Sequence, residues 1–178
     1  MIVSADCESA TNDQLRSLRV QPQASKINAC RRPSAARFLW RMGATSIVFS
    51  HIFVGVSDFE RALAFYNPLM SALGIKPRFC DRTRPWAGWQ SSPDPRPLFI
   101  IGTPHDKLSH EAGNGQMVAF LAESRAAVEK AHTVALANGG TSEGSPGLRP
   151  EYHEHYYGAY FRDPDGNKLC VACHLPAG

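Results

Sequence analysis

The sequence predicts an α+β fold in which one strand–helix–strands unit is used twice. Two amphipathic helices each follow a short alternating strand. The two halves can be laid on each other, at an offset of 66 that becomes 71 nearer the end. Turn-forming residues punctuate the same places in both.

The first unit opens on Ser50-His-Ile-Phe-Val-Gly-Val56. It alternates and is rich in β-branched and aromatic residues, which is the pattern of a half-buried strand. Ser57-Asp-Phe-Glu60 follows. A serine with glutamate three residues on is a capping box, so Ser57 is the expected cap. Ala62, Phe65, Tyr66, Leu69, Met70 and Leu73 then recur every three or four residues, making one helical face. Gly74 supplies the stop. Pro68 lies inside this pattern. It lacks an amide hydrogen and should kink or split the helix. Three short strands are expected at 77–81, 87–91 and 98–102, with Trp86 and Trp89 beside or within the middle one.

The second unit starts on the strand 116–122. Ser124 caps a helix with Ala127, Val128, Ala131 and Ala135 on one side, and Asn138-Gly139-Gly140 ends it. Two strands, 156–162 and 168–174, are joined by the tight turn Asp163-Pro-Asp-Gly-Asn167. An offset of 66 pairs His51 with Met117 and Gly74 with Gly140. Nearer the end the offset becomes 71, pairing Phe99 with Cys170. The extra residues are expected in a loop around 148–155.

Bulk properties narrow the function. The chain has 178 residues, 43% hydrophobic and 20% charged, an ordinary globular composition. A net charge of +3, without a basic cluster in the folded part, argues against nucleic acid as a partner. No apolar run approaches the roughly 18 residues of a membrane span, so no membrane partner is expected. Five irregularly spaced cysteines read as free thiols of a cytoplasmic protein. Residues 1–45 have no sustained periodicity and no apolar signal core. They are expected to be a disordered extension, or to reflect a start site mis-assigned upstream of Met42. The folded domain is placed at 46–176, with module one at 46–104 and module two at 116–176.

The element order resembles the vicinal oxygen chelate superfamily, which includes glyoxalases, extradiol dioxygenases and bleomycin-resistance proteins. The resemblance runs from about Ser46 to Pro176. It is carried most specifically by His-Ile-Phe-Val-Gly-Val-Ser-Asp-Phe-Glu-Arg-Ala-Leu-Ala-Phe-Tyr (51–66) and Phe-Arg-Asp-Pro-Asp-Gly-Asn-Lys-Leu (161–169). It implies two tandem βαβββ modules whose mixed sheets curl into a cup or partial barrel, with the helices outside. It also implies a small-molecule ligand, with homodimerisation as a further expectation.

In metal-dependent relatives the ligands stand early on the first strand and on the last strand of each module. Carried over, these positions are His51, Phe99, Met117 and Cys170. The pattern of related sequences has His where Met117 stands and Glu where Cys170 stands. Divalent metals that act as hard Lewis acids want imidazole and carboxylate ligands. No metal or other cofactor is therefore expected, and the site should bind its ligand by shape and polar contacts. The alternative is a metal-dependent lyase, isomerase or dioxygenase holding a divalent metal through His51. A third reading is an interaction module with no small ligand.

The candidate ligand-binding residues are His51, Trp89, Met117, Arg149, His153, Tyr157 and Cys170. Arg149 is the expected anion contact, because guanidinium pairs bidentately with carboxylates. His153 belongs to a run, Tyr152-His-Glu-His-Tyr-Tyr157, that could line a pocket or be an ordinary solvated loop with aromatic anchors. His105, Asp106 and His110 lie in the connector and are expected at the surface. Cys170-Val-Ala-Cys173-His174 matches the c-type haem attachment pattern. On a strand, however, residues three apart face opposite ways, so two ordinary strand cysteines are expected.

Overall fold

The computed structural model describes residues 49–90 and 96–177. The sequence readings for 1–48 and 91–95 lie outside the described residues. Module one comprises β1 (His51–Gly55), α1 (Phe59–Ala72), β2 (Lys76–Asp81), β3 (Trp86–Gln90) and β4 (Leu98–Gly102). Module two comprises β5 (Val118–Leu121), α2 (Arg125–Ala137), β6 (Thr141–Leu148), β7 (Tyr157–Arg162) and β8 (Lys168–Cys173). Each module is a four-stranded sheet, ordered β1-β4-β3-β2 and β5-β8-β7-β6. The first pairing in each order is parallel and the others antiparallel. The two sheets do not close into one barrel.

The helix boundaries follow from their caps, with two corrections. The α1 cap is Asp58, not Ser57. Its carboxylate accepts the Arg61 amide at 3.0 Å. Ser57 instead donates its own amide to Asp165 at 3.1 Å. Nor does Pro68 split α1, which runs unbroken from Phe59 to Ala72. The carbonyl that the missing amide hydrogen would have served belongs to Ala64 on the exposed side, where water can satisfy it. In α2 the Ser124 hydroxyl accepts the Ala127 amide at 3.1 Å, as expected.

Strand β6 was implied by the resemblance to βαβββ modules but was not located from the residues. Its sequence, TSEGSPGL, has the composition of a loop. It pairs with β7 at the sheet edge, with two register shifts. An edge tolerates glycine, proline and bulges because one side of the ladder carries no partner. The extra length of module two is therefore shared. An eight-residue β6 stands where module one has a six-residue β2, and the loop 149–156 where it has the turn 82–85.

Both helices and the inner faces of both sheets enclose one core. Phe65 of α1 meets Phe161 of β7 edge-on at 6.4 Å. Phe99 of β4 meets Phe120 of β5 edge-on at 5.0 Å. Both pairs cross between modules. Gly140 permits this approach, because a Cβ there would come within 2.8 Å of the Ala135 carbonyl oxygen and 2.9 Å of Phe65.

The Asp163–Asn167 turn also joins the modules. Asp163, 3% exposed, accepts hydrogen bonds from the amides of Asp165 and Asn167, from Asn167 Nδ2 and from the Tyr66 hydroxyl at 2.7 Å. Asp165 accepts from Arg61 at 2.8 Å, and Asn167 Nδ2 donates to the Gly55 carbonyl at 3.0 Å. Gly166 takes φ +88° to close the turn.

Candidate ligand-binding face and groove

Strand alternation and register decide which side chains face away from the helices. In module one, β1 pairs His51 with Leu98 and Phe53 with Ile100. His51, Phe53, Leu98 and Ile100 therefore share the face opposite the helices, called here the open face. In module two, Ala119 pairs with Cys170, which pairs with Tyr160, which pairs with no helix-side residue across β6 but with Gly144. Met117, Ala119, Leu121, Lys168, Cys170, Ala172, Gly158 and Tyr160 thus follow the open face by alternation.

This register corrects one expectation. The residue of module one equivalent to Cys170 is Ile100, since β1 and β5 superpose at an offset of 66 and their partners at 70. Phe99 lies on the helix side, packed on Tyr66 with ring centroids 5.3 Å apart. A slip of one residue exchanges the two faces of a strand.

The proposed binding residues separate in the same way. Trp89 is core, 2% exposed and 6.1 Å from the Tyr66 ring, although it also reaches the wall of the groove described below. Tyr157 is on the helix side. Its hydroxyl donates to Glu129 of α2 at 2.8 Å, and Arg125 lies over its ring at 5.2 Å. His51 is exposed, with Ser50 as its hydrogen-bond partner at 3.2 Å. Met117 is 45% exposed and lies by Phe53 and Gly55 in a small hollow of about 180 Å³. His110, expected at the surface, lines that hollow too. Its ring covers Gly55, where a Cβ would lie 2.7 Å from Nδ1, and its Nε2 is buried without a partner.

Arg149, His153 and Cys170 do come together, with three tyrosines and a second histidine. The Tyr156 hydroxyl lies 3.5 Å from Cys170 Sγ and 3.4 Å from the Tyr160 hydroxyl. The Tyr156 ring packs against Tyr152 at 4.9 Å, His153 at 5.7 Å and His174 at 5.1 Å. The Arg149 guanidinium stands 5.7 Å over the Tyr160 ring, and Lys168 Nζ 6.0 Å from it. Burial pushes the Tyr156 phenol far above its ordinary range, and both hydroxyl contacts push the same way. Burial also raises the Cys170 thiol, so both groups are protonated at neutral pH.

His153 and His174 form a directed pair. His153 Nδ1 accepts the His155 amide at 3.2 Å, so its proton is on Nε2. That Nε2–H then donates to His174 Nδ1 at 2.7 Å. In the neutral pair His174 carries its proton on Nε2. His174 was read from sequence only as part of the Cys-x-x-Cys-His string. Its partner lies twenty-one residues away on a loop, and no local signal links them. The string itself splits as strand geometry requires. Cys170 lies under Tyr156, while Cys173 is in the core.

His174 also borders the larger cavity, a groove of about 1100 Å³ between the modules. Its walls include Leu73, Trp89, Phe99, Phe120 and Leu121. The groove offers apolar surface and the open face offers phenols, imidazoles and a guanidinium, with His174 where they meet.

Two mixed βαβββ sheets sharing a core, with a groove between them and polar side chains on the open face, define a glyoxalase-type fold. Residues 48–171 match the family model of the Glyoxalase/Bleomycin resistance protein/Dioxygenase superfamily, and the chain belongs to that superfamily. Among solved structures, it is similar to a glyoxalase/bleomycin resistance protein from Albidiferax ferrireducens, at 38% identity and TM-score 0.64, covering 70% of this chain and 98% of that one. A glyoxalase/bleomycin resistance protein/dioxygenase family enzyme from Burkholderia phytofirmans shares the fold at 20% identity and TM-score 0.53, over 71% of this chain and 98% of that one. So does a lactoylglutathione lyase from Agrobacterium tumefaciens, at 19% identity and TM-score 0.50, over 73% of this chain and 95% of that one. No curated protein matches the chain. Among the described residues, no helix is long and apolar enough to cross a membrane.

Proposed function

We propose that this protein binds a small molecule on the open face of module two and in the adjoining groove, without the hard-metal chemistry of many relatives. The observation that carries this reading is the donor set at the family's ligand positions. They hold His51, Ile100, Met117 and Cys170. Ile100 has no donor atom, Met117 offers a thioether, and the Cys170 thiol is held protonated by burial. One imidazole without a carboxylate does not fit Mn²⁺, Mg²⁺ or Fe²⁺. Among the described residues, no three His, Cys, Asp or Glu side chains are grouped to hold a metal ion.

What the side chains offer is a bed for a ligand. A groove of about 1100 Å³ is at the upper end of drug-sized sites, and its apolar walls would supply the binding energy. Protonated phenols, an imidazole pair and a guanidinium would orient the polar end. Whether the bound molecule is sequestered or turned over rests on the same contacts. The His153–His174 pair is the group best placed to move a proton, being two imidazoles in one hydrogen bond.

Metal analysis of the purified chain, with a thermal-shift screen of small acids, aromatics and glycopeptide drugs, tests this reading. The expected outcome is substoichiometric metal and a raised melting temperature with at least one ligand class. About one zinc, nickel, iron or manganese per chain, lost on His51→Ala, would overturn it in favour of a metal-dependent enzyme. A flat screen would favour an interaction module.

A further inference from the structure

Resting on that reading of the open face, we infer that the ligand is a planar aromatic anion, its carboxylate held by Arg149 and its ring laid against the Tyr156–Tyr160 shelf.

Charge supports the anion. Arg149 and Lys168 both approach the Tyr160 ring, and Arg162 pairs with Lys168 across the β7–β8 ladder, so three cations stand on this face. Glu143 is the carboxylate that pairs with two of them, Arg162 and Lys168, the latter at 3.0 Å. Among the described residues, Arg149 has no ion pair. Two of its five N–H groups are used, donating to the carbonyls of Leu148 at 3.0 Å and Ser145 at 2.9 Å. Those bonds fix the plane of the guanidinium and leave other N–H groups for a ligand. A planar fork with spare donors suits a carboxylate better than a point charge does.

Glycines clear the space. Gly144 and Gly147 of β6 lie under Arg149, where a Cβ would stand 3.6 Å from Nη2 and 2.8 Å from Nη1 respectively. Gly158 of β7 lies under Tyr156, where a Cβ would stand 2.7 Å from Cε1. None of the three has a positive φ. Their conformation does not demand glycine; the tight neighbour is the Tyr160 ring at Gly144, 3.1 Å from a Cβ, the end of the Arg149 side chain at Gly147 and the Tyr156 ring at Gly158. Arg149 and Tyr156 thus lie down along the sheet. Two of the residues that give β6 its loop-like composition, Gly144 and Gly147, stand where Tyr160 and Arg149 lie close to the backbone.

Flatness follows from the shelf. Tyr152, Tyr156, Tyr160, His153 and His174 present ring edges and faces within stacking range of one another. Aromatic ligands gain from offset or edge contacts that a puckered ring cannot make.

Calorimetric or NMR titration of the full chain with benzoate, benzamide and cyclohexanecarboxylate tests this, with neutral Nile red as a probe of the groove. Benzoate should bind, and the other two should bind at least about fivefold more weakly, since one lacks the charge and the other the ring. Arg149→Met should weaken benzoate by about fivefold or more while Nile red binding and the melting temperature stay unchanged. Gly147→Ala should act in the same direction by displacing the guanidinium. Equal affinity for benzoate and benzamide, or an unaltered benzoate affinity in Arg149→Met, overturns the inference. If Nile red binds but benzoate does not at concentrations on the order of 10 mM, the anion is wrong and the ligand-binding reading stands. If neither binds, both fail.

Discussion

Replacing Asp163 with alanine should unsettle the joint between modules more than the loss of one turn residue suggests. The carboxylate accepts four hydrogen bonds, from two backbone amides, Asn167 Nδ2 and the Tyr66 hydroxyl. Tyr66 is fully buried on α1, so its hydroxyl would be left without a partner. An orphaned buried hydroxyl costs about 1–3 kcal/mol, and lost bonds to a charged acceptor cost about as much again. Solvent reaching the half-buried amides would recover part of this. The net loss should be about 3–5 kcal/mol, a fall of roughly 10–20 °C in melting temperature for a domain of this size. The assay is urea unfolding of Asp163→Ala, Tyr66→Phe and the double variant. Alone, Tyr66→Phe should cost about 1.5–3 kcal/mol, the range for a bond to a charged group. In the alanine background it should cost almost nothing, because the hydroxyl is already orphaned. A fall below about 3 °C for Asp163→Ala, or equal costs for Tyr66→Phe in both backgrounds, would refute the staple.

Two other predictions concern the packing of α2. Gly140→Ala places a methyl 2.8 Å from the Ala135 carbonyl oxygen and 3.0 Å from that of Arg162. Backbone atoms cannot rotate away, so thermal unfolding should show a loss of about 1–3 kcal/mol, and an unchanged melting temperature would contradict the close approach. His132, 7% exposed and hydrogen-bonded to Ser142 at 3.1 Å, has its pKa lowered by burial. The unfolded chain protonates it more readily, so its contribution is full above about pH 6.5, falls as pH drops through that value, and levels off below the folded pKa. Melting temperature against pH should therefore decline less steeply from 7 to 5 in His132→Gln than in the parent, and coincident slopes would exclude this origin.

Much of the frame was legible in the sequence because it is local. Ser124 and the face Val128, Ala131, Ala135 specify α2 by hydrogen bonding and periodicity alone. β4 matched its expected bounds, Leu98–Gly102, because five consecutive apolar or small residues sit between breakers. The errors came where a non-local partner outweighed a local preference. β6 has no strand propensity and exists because β7 supplies its ladder. Pro68 did not break α1, since Phe65, Tyr66, Leu69 and Met70 on either side are held in the core. The candidate site was legible in part. Arg149, His153 and Cys170 meet on one face. Tyr157 faces the helices, because alternation sends neighbours in a strand to opposite sides.

What the sequence determined by itself was the element order, its repetition and the Asp163–Asn167 turn, all set by spacing within a few residues. Tertiary structure decided which face Trp89, Phe99 and Tyr157 serve. A strand reads the same in either orientation, and its inside is defined only when a helix covers it. The one-residue difference between Phe99 and Ile100, the pairing of His153 with His174 and the bare backbone beneath Arg149 all depend on contacts between distant segments. Such contacts are settled by packing, which no local pattern encodes.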